Sequence, residues 1–315
     1  MILIISEKFD IATENIISEL SIRKANFKLI CGEDFLENKF IFDINNEELF
    51  INQHKLPTFN IALYRRWINA NYKFSDNINE NLYLRREFEE LASNFIINLN
   101  VKKWINTPPF IRSYPSKALQ LKVAKECNLK IPNTIITNNS FSTQKFLEEQ
   151  KNNIITKNLS DVYTYIENEE IYGTYTTSIS EKDIKTQKEI FFPSLFQNNI
   201  NKDIEIRTFY FMGKFYSYAI FSSNNSKTEI DYRLYDFSHP NRLMKYILPK
   251  NIRDNIKRLM KRLNLDTGSI DLIKDLSGNY YFLEVNPQGQ FGGIKEYGLD
   301  IEKNIAEYLI QNDVI

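Results

Sequence analysis

The stretch that decides the fold is Gly268-Ser269-Ile270-Asp271-Leu272-Ile273, followed after a turn by Tyr280-Tyr281-Phe282-Leu283-Glu284-Val285-Asn286-Pro287. The intervening Asp275-Leu276-Ser277-Gly278-Asn279 is rich in turn-forming residues, and apolar, β-prone runs flank it on both sides. Such a pattern predicts a β-hairpin.

The predicted hairpin brings three oxygen-bearing side chains together. Asp271 and Glu284 are equally far from the Ser277–Gly278 centre, so a simple hairpin places them opposite each other. Asn286 lies two residues beyond Glu284, and strand alternation puts both on one face. Two carboxylates and an amide oxygen suit Mg²⁺, which prefers oxygen ligands and often shares them with phosphates.

The alternative interpretation of these three residues is a solvated hairpin face. The apolar neighbours argue against a solvated face. They indicate a buried strand pair, where an unpaired carboxylate would cost free energy. These neighbours are Ile270, Leu272, Leu283 and Val285. We therefore expect Asp271, Glu284 and Asn286 to be metal ligands.

Composition limits the classes of function. The 315 residues are enough for two or three compact units, and 40 basic residues balance 40 acidic ones. A broad basic surface for nucleic acid is therefore not expected. The start of the chain, Met1–Glu7, has a short apolar run that ends in charge, which predicts a first strand at Ile2–Ile5 and is too short for a signal sequence. No apolar segment is long enough to span a bilayer. We expect a cytoplasmic protein without a membrane or nucleic-acid partner.

The few cysteines and histidines indicate no metal cluster. Cys31 and Cys127 are far apart and lack metal-ligand spacing, so small buried side chains in a reducing compartment are the preferred interpretation. His54 and His239 form no cluster or catalytic triad in the sequence.

The order of periodic segments predicts an α/β (α+β) protein of three domains. Strands and helices alternate up to Ile105, and Pro108-Pro109 marks the end of an N-terminal α/β domain with a largely parallel sheet at 1–113. A central domain at 114–189 and a C-terminal antiparallel-sheet domain at 190–315 follow. Within the central domain, 162–179 reads as antiparallel strands joined by a mobile loop.

This order of elements and charges resembles the ATP-grasp superfamily, its RimK-like branch, and most closely the graspetide synthetases of the microviridin, plesiocin and grasp-with-spasm types. The resemblance runs from about Asn106 onward. Glu284-Val285-Asn286-Pro287 with Asp271 upstream carries the superfamily signal. Asp203-Ile204-Glu205-Ile206-Arg207 and Asp231-Tyr232-Arg233 narrow it toward peptide-modifying enzymes.

Two departures from the superfamily pattern bear on the substrate. Tyr172-Gly173-Thr174 has a single glycine where a glycine-rich phosphate loop is common. Pro287-Gln288-Gly289-Gln290-Phe291 resembles peptide maturases more than amino-acid ligases, so a free amino acid is the less favoured substrate.

The resemblance implies a site for ATP and Mg²⁺. Asp271, Glu284 and Asn286 would hold the metal, while Lys117 and Lys157 would stabilise the phosphates as point charges. The segment Phe191-Phe192-Pro193-Ser194-Leu195-Phe196 would form a hinge, and backbone groups of Pro193, Ser194, Leu195 and Phe196 would bind adenine. A surface position remains the alternative for each lysine, and a buried core strand is an interpretation compatible with the hinge.

Arginines are the candidates for an anionic substrate. Arg207 is expected at the γ-phosphate or the acceptor carboxylate and Arg233 at the peptide carboxylate, since guanidinium suits bidentate contact with such anions. A structural Glu205–Arg207 ion pair is the alternative for Arg207. Arg65 and Arg66 follow a strand end of the first domain, where ligands gather in α/β sheets, and are candidates for contact with an acidic core peptide. A solvated basic turn is the alternative for them.

The resulting hypothesis is an ATP-dependent peptide macrocyclase. It would phosphorylate Asp or Glu side chains of a ribosomal precursor peptide, made of a leader and an acidic core, and join them to Thr, Ser or Lys side chains. The 162–179 region would hold the leader or close over ATP, and the resemblance implies a homodimer. The alternatives are a RimK-like ligase that adds amino acids and an ATP-binding regulatory protein without turnover.

Overall fold

The computed structural model describes residues 1–69, 72–160, 164–167, 170–222, 231, 234, 238–291 and 298–314. Arg233, with the role predicted for it, lies outside these residues.

Strands and helices within the described residues follow the order that the sequence predicts. The strands are β1 Ile2–Ser6, β2 Phe27–Cys31, β3 Phe40–Asp43, β4 Glu48–Ile51, β5 His54–Lys55, β6 Ile61–Tyr64, β7 Trp104–Ile105, β8 Thr134–Asn139, β9 Ile154–Lys157, β10 Thr164–Glu167, β11 Glu170–Gly173, β12 Thr177–Ile179, β13 Ile190–Asn198, β14 Lys202–Phe211, β15 Lys214–Phe221, β16 Arg242–Tyr246, β17 Thr267–Asp275 and β18 Tyr280–Asn286. The helices are α1 Ile11–Ile22, α2 Asp34–Glu37, α3 Ile78–Ile97, α4 Lys117–Glu126, α5 Ser140–Glu149, α6 Glu181–Thr186, α7 Lys250–Leu263 and α8 Ile301–Asn312.

Four short elements were absent from the sequence prediction: α2, α6, β5 and β16. Each has at most six residues, too few to show a clear apolar period.

The chain divides into two compact units. The first comprises 1–114, 264–268 and 287–315, and the second comprises 115–263 and 269–286. The predicted division into three domains stays a prediction.

A four-stranded parallel sheet, in the order β2-β1-β6-β7, is the centre of the first unit. Strands of a parallel sheet are covered on both faces, which explains why β1 is apolar almost throughout and fully buried. Leu3 and Ile5 belong to the same buried core cluster as Phe88 and Phe95 of α3, while α1 packs against α8. The predicted N-terminal α/β sheet is thus confirmed.

One asparagine joins three separate segments of the first unit. Asn106 follows β7 in the left-handed region, at φ 50°, which asparagine tolerates better than most residues. Its Nδ2 donates to Thr267 O at 2.8 Å and to Pro287 O at 3.3 Å. Its Oδ1 accepts from the backbone N–H groups of Asp266 and Thr267 at 2.8 and 3.1 Å. The amide is therefore saturated while only 1% of the residue is exposed.

The described strands of the second unit form two sheets and a hairpin, and helices α4 to α7 belong to the same unit. The first sheet has the order β12-β9-β13-β8, and the second has the order β16-β15-β14-β17-β18. Strands β10 and β11 pair antiparallel, as predicted for that region. Because β18 is at the edge of its sheet, its outer backbone groups need partners from elsewhere.

Two further expectations concern burial. Cys31 and Cys127 are both buried and reduced, as predicted, and burial raises the pKa of the Cys31 thiol to about 12. Among the described helices, none combines the length and the apolar character needed to cross a bilayer.

The saturated amide of Asn106 leads to a stability prediction. We expect Asn106→Ala to lower the free energy of unfolding by about 2 kcal/mol or more, because buried N–H and C=O groups lose their partners. Chemical denaturation measures this loss. The control is Asn94→Ala, an exposed position on α3, which we expect to change stability by less than about 0.5 kcal/mol. Equal effects of the two substitutions would contradict the bridging role.

Candidate active site

The hairpin of β17 and β18 pairs Asp271 directly with Glu284. Ser269 pairs with Asn286 two residues further along, which puts the three predicted ligands on neighbouring positions of two strands. The predicted pairing of the two carboxylates is confirmed.

A β-bulge produces this pairing. The turn closes one residue tighter than a hairpin centred on Ser277–Gly278, so Leu272 pairs with Phe282. The register then shifts, and Leu283 is the extra residue on β18 before Asp271 meets Glu284. Without that extra residue, Asp271 would face Leu283 and the two carboxylates would not be paired.

The bulge also changes which apolar side chains are buried. Ile270, Leu272 and Val285 are buried, as predicted. Leu283 is only half-buried, contrary to prediction, and the fully buried Phe282 takes its place in the core. Leu283 instead lines the same cleft as Glu284, because the two residues of a bulge share one partner.

The first turn of α4 supplies a cation to Glu284. Ser116 caps the helix, and Lys117 directly after it brings Nζ to 3.1 Å from Glu284 Oε2. The same ammonium group donates to the backbone carbonyls of Asn158 and Ser160 at 3.0 and 2.7 Å. Lys117 therefore links the hairpin to the loop after β9.

Arg207 supplies a cation to the other carboxylate. Its Nη1 lies 3.5 Å from Asp271 Oδ1. Glu205, two residues earlier on β14, is instead paired with Lys202 at 2.6 Å and accepts a hydrogen bond from Ser222 at 2.7 Å. The structure thus gives Arg207 and Glu205 different partners in place of the Glu205–Arg207 ion pair considered from the sequence.

Burial dominates the electrostatics of Glu205. The residue is 8% exposed, and loss of solvation raises the pKa of its carboxyl although Lys202 and Ser222 act in the opposite direction. The negative charge of Asp271 adds to the rise. The ionised form of this carboxyl is therefore held at a cost to stability.

Lys117, Asp271 and Glu284 face a cleft in the second unit that opens to solvent. Lys157, at the end of β9, also lines this cleft. The remaining lining residues are Pro132, Ile155, Asn158, Ser160, Thr174, Thr176, Gln197, Asn198, Asn199, Ile200, Lys202, Glu205, Asp231, Ile273 and Leu283.

The predicted adenine segment has a different position. Pro193–Phe196 lies inside β13, where Leu195 and Phe196 pair with β8 on one side and β9 on the other. Ser194 and Phe196 line a second cavity of about 150 Å³. The lining of the cleft at Lys117 and Glu284 includes the next four residues, Gln197–Ile200. Adenine binding by Pro193–Phe196 stays a prediction.

The metal-binding hypothesis depends on a set of two carboxylates and one amide. Asn286 is half-buried and pairs with Ser269, although it is not among the lining residues of the cleft. Over the part of the chain that the structure describes, no group of three or more His, Cys, Asp or Glu residues could hold a metal ion. The hard oxygens of Asp271 and Glu284 remain chemically suited to Mg²⁺.

Arg65 and Arg66 lie in the first unit and differ in exposure. The Arg65 side chain is 3% exposed, with Nε 3.7 Å from Asp10 Oδ2 and its guanidinium 4.4 Å from the Phe291 ring centre. Burial lowers the pKa of Arg65 to about 10. Arg66 is 30% exposed and pairs with Glu7 at 2.5 Å. Arg65 is thus not part of a solvated turn, and peptide binding by either arginine stays a prediction.

Sequence reasoning missed two residues, Lys202 in the lining of the cleft and Gln120 beside the hairpin. Lys202 is the first residue of β14 and lies in no recognisable motif, so nothing in the sequence singled it out. Gln120 was missed although it lies three residues after Lys117, the spacing that puts two side chains on one helix face. Its Nε2 and Oε1 bond the C=O and N–H groups of Val285 at 3.0 and 2.9 Å.

No protein-family model and no curated protein matches the sequence. Solved structures do match over nearly the whole chain. A RiPP-associated ATP-grasp ligase of Chryseobacterium gregarium, in complex with ADP and a leader and core peptide, has a TM-score of 0.85 at 22% identity, covering 98% of this chain and 96% of that one.

Two further structures agree. The macrocyclase MdnC of Microcystis aeruginosa MRC, bound with its precursor peptide MdnA, has a TM-score of 0.82 at 24% identity, with 99% of both chains covered. The ATP-grasp ligase PsnB, complexed with a minimal-precursor variant, Mg and ADP, has a TM-score of 0.76 at 17% identity, covering 99% of this chain and 98% of that one.

This chain has the ATP-grasp fold. The fold predicted from the sequence is confirmed. At these identities the similarity establishes the ATP-grasp fold.

The raised pKa of Glu205 gives a pH-dependent prediction. A carboxyl whose pKa is higher in the folded than in the unfolded state favours folding at low pH, and stability falls as the pH rises above about 4.5. Glu205→Gln cannot ionise at this position. We therefore expect its free energy of unfolding, relative to that of the parent chain, to increase as the pH rises from 4.5 to 7. Denaturation at a series of pH values measures the difference, and a difference that moves the other way would contradict the assigned cause.

Proposed function

We propose that this protein is an ATP-dependent peptide macrocyclase that uses Mg²⁺. The observation that supports it most is the pairing of Asp271 with Glu284 on the hairpin, each facing a cation, Arg207 or Lys117, within an ATP-grasp fold. Transfer of the γ-phosphoryl group of ATP requires charge neutralisation and positioning. This arrangement offers two carboxylates for a metal ion and two cations for the phosphates.

The charges of the cleft favour a nucleotide that arrives with metal. Its lining includes three lysines, Lys117, Lys157 and Lys202, against four carboxylates, Glu205, Asp231, Asp271 and Glu284. With Arg207 beside Asp271, the cations and carboxylates described at the site are equal in number, so a triphosphate would gain net attraction only together with divalent cations. When bound, Mg²⁺ would neutralise phosphate charge, held by Asp271, Glu284 and Asn286.

Phosphate and base would be held by residues along the cleft. Lys117 and Lys157 would stabilise the phosphates. The lining of the cleft favours Gln197–Ile200 over Pro193–Phe196 for contact with adenine, because only the former segment contributes to it. Ile155 and Leu283, also in the lining, would supply apolar contacts to the base.

The proposed reaction has two steps. A side-chain carboxylate of the peptide attacks the γ-phosphorus of ATP, forming an acyl phosphate and releasing ADP. A hydroxyl or amine of the same peptide then attacks the acyl carbon, loses its proton and displaces phosphate, leaving an ester or an amide. Arg207, near Asp271, would stabilise the negative charge of the transferred group, and Arg233 would bind the peptide carboxylate.

The partner would be a ribosomal precursor peptide with a leader and an acidic core. The structures of similar fold that hold such peptides support this substrate class, as does Pro287-Gln288-Gly289-Gln290-Phe291 after the hairpin. We also propose a cytoplasmic location, a homodimer, and leader binding or closure over ATP by 162–179. The three-domain division remains part of this proposal.

A direct test incubates the enzyme with ATP, Mg²⁺ and the small peptide encoded beside its gene. We expect each ring closure to remove the mass of one water and to consume one ATP, as measured by mass spectrometry and phosphate release. A gain of one amino-acid residue would identify a RimK-like ligase instead. A peptide that binds but keeps its mass in the presence of ATP would refute macrocyclisation.

A charge-only substitution tests the metal site. Glu284→Gln removes one negative charge at nearly constant shape, so we expect peptide cyclisation to fall by at least about 100-fold while the fold is retained. Glu149→Gln, the same change at an exposed position of α5, is the control and should leave the rate unchanged. Full activity of Glu284→Gln at ordinary Mg²⁺ concentrations would disprove the assignment.

A further inference from the structure

Gln120 bonds the peptide groups between two of the predicted metal ligands. Its Oε1 accepts from the Val285 N–H group at 2.9 Å, and its Nε2 donates to the Val285 carbonyl at 3.0 Å. Val285 stands between Glu284 and Asn286. A single side-chain amide thus fixes both backbone groups of the residue that separates these ligands.

The amide replaces a missing neighbouring strand. Because β18 is at the edge of its sheet, the outward N–H and C=O groups of Val285 have no ladder partner there. Phe282, earlier on the same strand, finds its outward partner in the Lys130 carbonyl at 2.8 Å. At Val285, the donor and acceptor of one glutamine side chain supply both bonds that a strand residue would supply.

Gln120 has no remaining freedom to rotate away. The second hydrogen of its Nε2 bonds the Pro115 carbonyl at 2.9 Å, directly before the helix begins. The residue is 4% exposed. A buried amide with three bonds to backbone groups holds one conformation, since each alternative rotamer would leave polar groups unpaired.

Its place on the helix connects this bond to the charged pair. Lys117 and Gln120 are three residues apart in the first turns of α4, so both project from one face. Lys117 contacts the Glu284 carboxylate, and Gln120 contacts the next peptide group along β18. The same helix therefore determines the position of both the backbone and the side chain of Glu284.

We propose that Gln120 is a positioning residue for the metal site, which holds Glu284 and Asn286 in register with Asp271 and with Lys117. This inference rests on the proposed function for the metal-binding role of these ligands. Residues that orient metal ligands without touching the metal typically change metal affinity by 10- to 100-fold when replaced.

The test measures metal binding rather than turnover. Free Mn²⁺, a spectroscopic substitute for Mg²⁺, is titrated by electron paramagnetic resonance into the full chain with saturating ADP. Gln120→Met keeps the side-chain length and removes all three bonds. We expect it to weaken Mn²⁺ binding about tenfold. Ile305→Val, a mild core substitution in α8 of the first unit, controls for a general loss of stability and should bind Mn²⁺ as the parent chain does.

The outcomes separate this inference from the proposed function. Unchanged Mn²⁺ affinity in Gln120→Met, with thermal stability lowered as in Ile305→Val, would overturn the positioning role and leave the function intact. No Mn²⁺ binding by the parent chain would overturn the metal site itself. If Gln120→Met does not fold, Gln120→Glu keeps the acceptor for Val285 N–H and loses the donors. Weaker Mn²⁺ binding is expected there too, and parent-like binding would overturn the inference.

Discussion

The antiparallel register of β17 and β18 is the constraint on which the rest of the candidate site depends. A side-chain period of two residues means that a shift by one would move Glu284 to the opposite face and separate it from Asp271. The bulge at Leu283 sets this register. Lys117 on α4 and Arg207 on β14 can contact Glu284 and Asp271 only when the two strands are paired in this way. Local backbone irregularity is thus the source of the charge arrangement.

Buried amides are the second means by which the hairpin is held. Asn106 bonds Thr267 at the start of β17 and Pro287 just after β18, while Gln120 bonds Val285 within β18. A neutral amide can satisfy a donor and an acceptor at once, and it does so without the desolvation penalty of a buried charge. These two side chains differ in this respect from Glu205, whose burial as a carboxylate is costly.

The sequence predicted what depends on local periodicity and on symmetric spacing. The parallel sheet of β1, β2 and β6, the main helices and the Asp271–Glu284 pair all belong to this class. The pair was predicted from a centre at Ser277–Gly278, and the structure reaches it through a tighter turn and a compensating bulge. The structural role of Pro193–Phe196 was harder to predict from the sequence, because an apolar run shows the same pattern in a central strand and in a hinge. Gln120 and Val285 are 165 residues apart, and no local pattern reports such a bond.

The composition of the first unit has a consequence for biosynthesis. Its parallel sheet comes from the first part of the chain, but α8, which packs on α1, lies near the other end of the sequence. The residues that Asn106 bonds, Thr267 and Pro287, also come late. A ribosome produces the whole second unit before it produces Pro287 and α8, so the first unit reaches its native packing only after the second has been made. Until then, part of the apolar surface of the parallel sheet stays exposed to solvent. A chaperone that binds this surface during synthesis would protect the chain from aggregation.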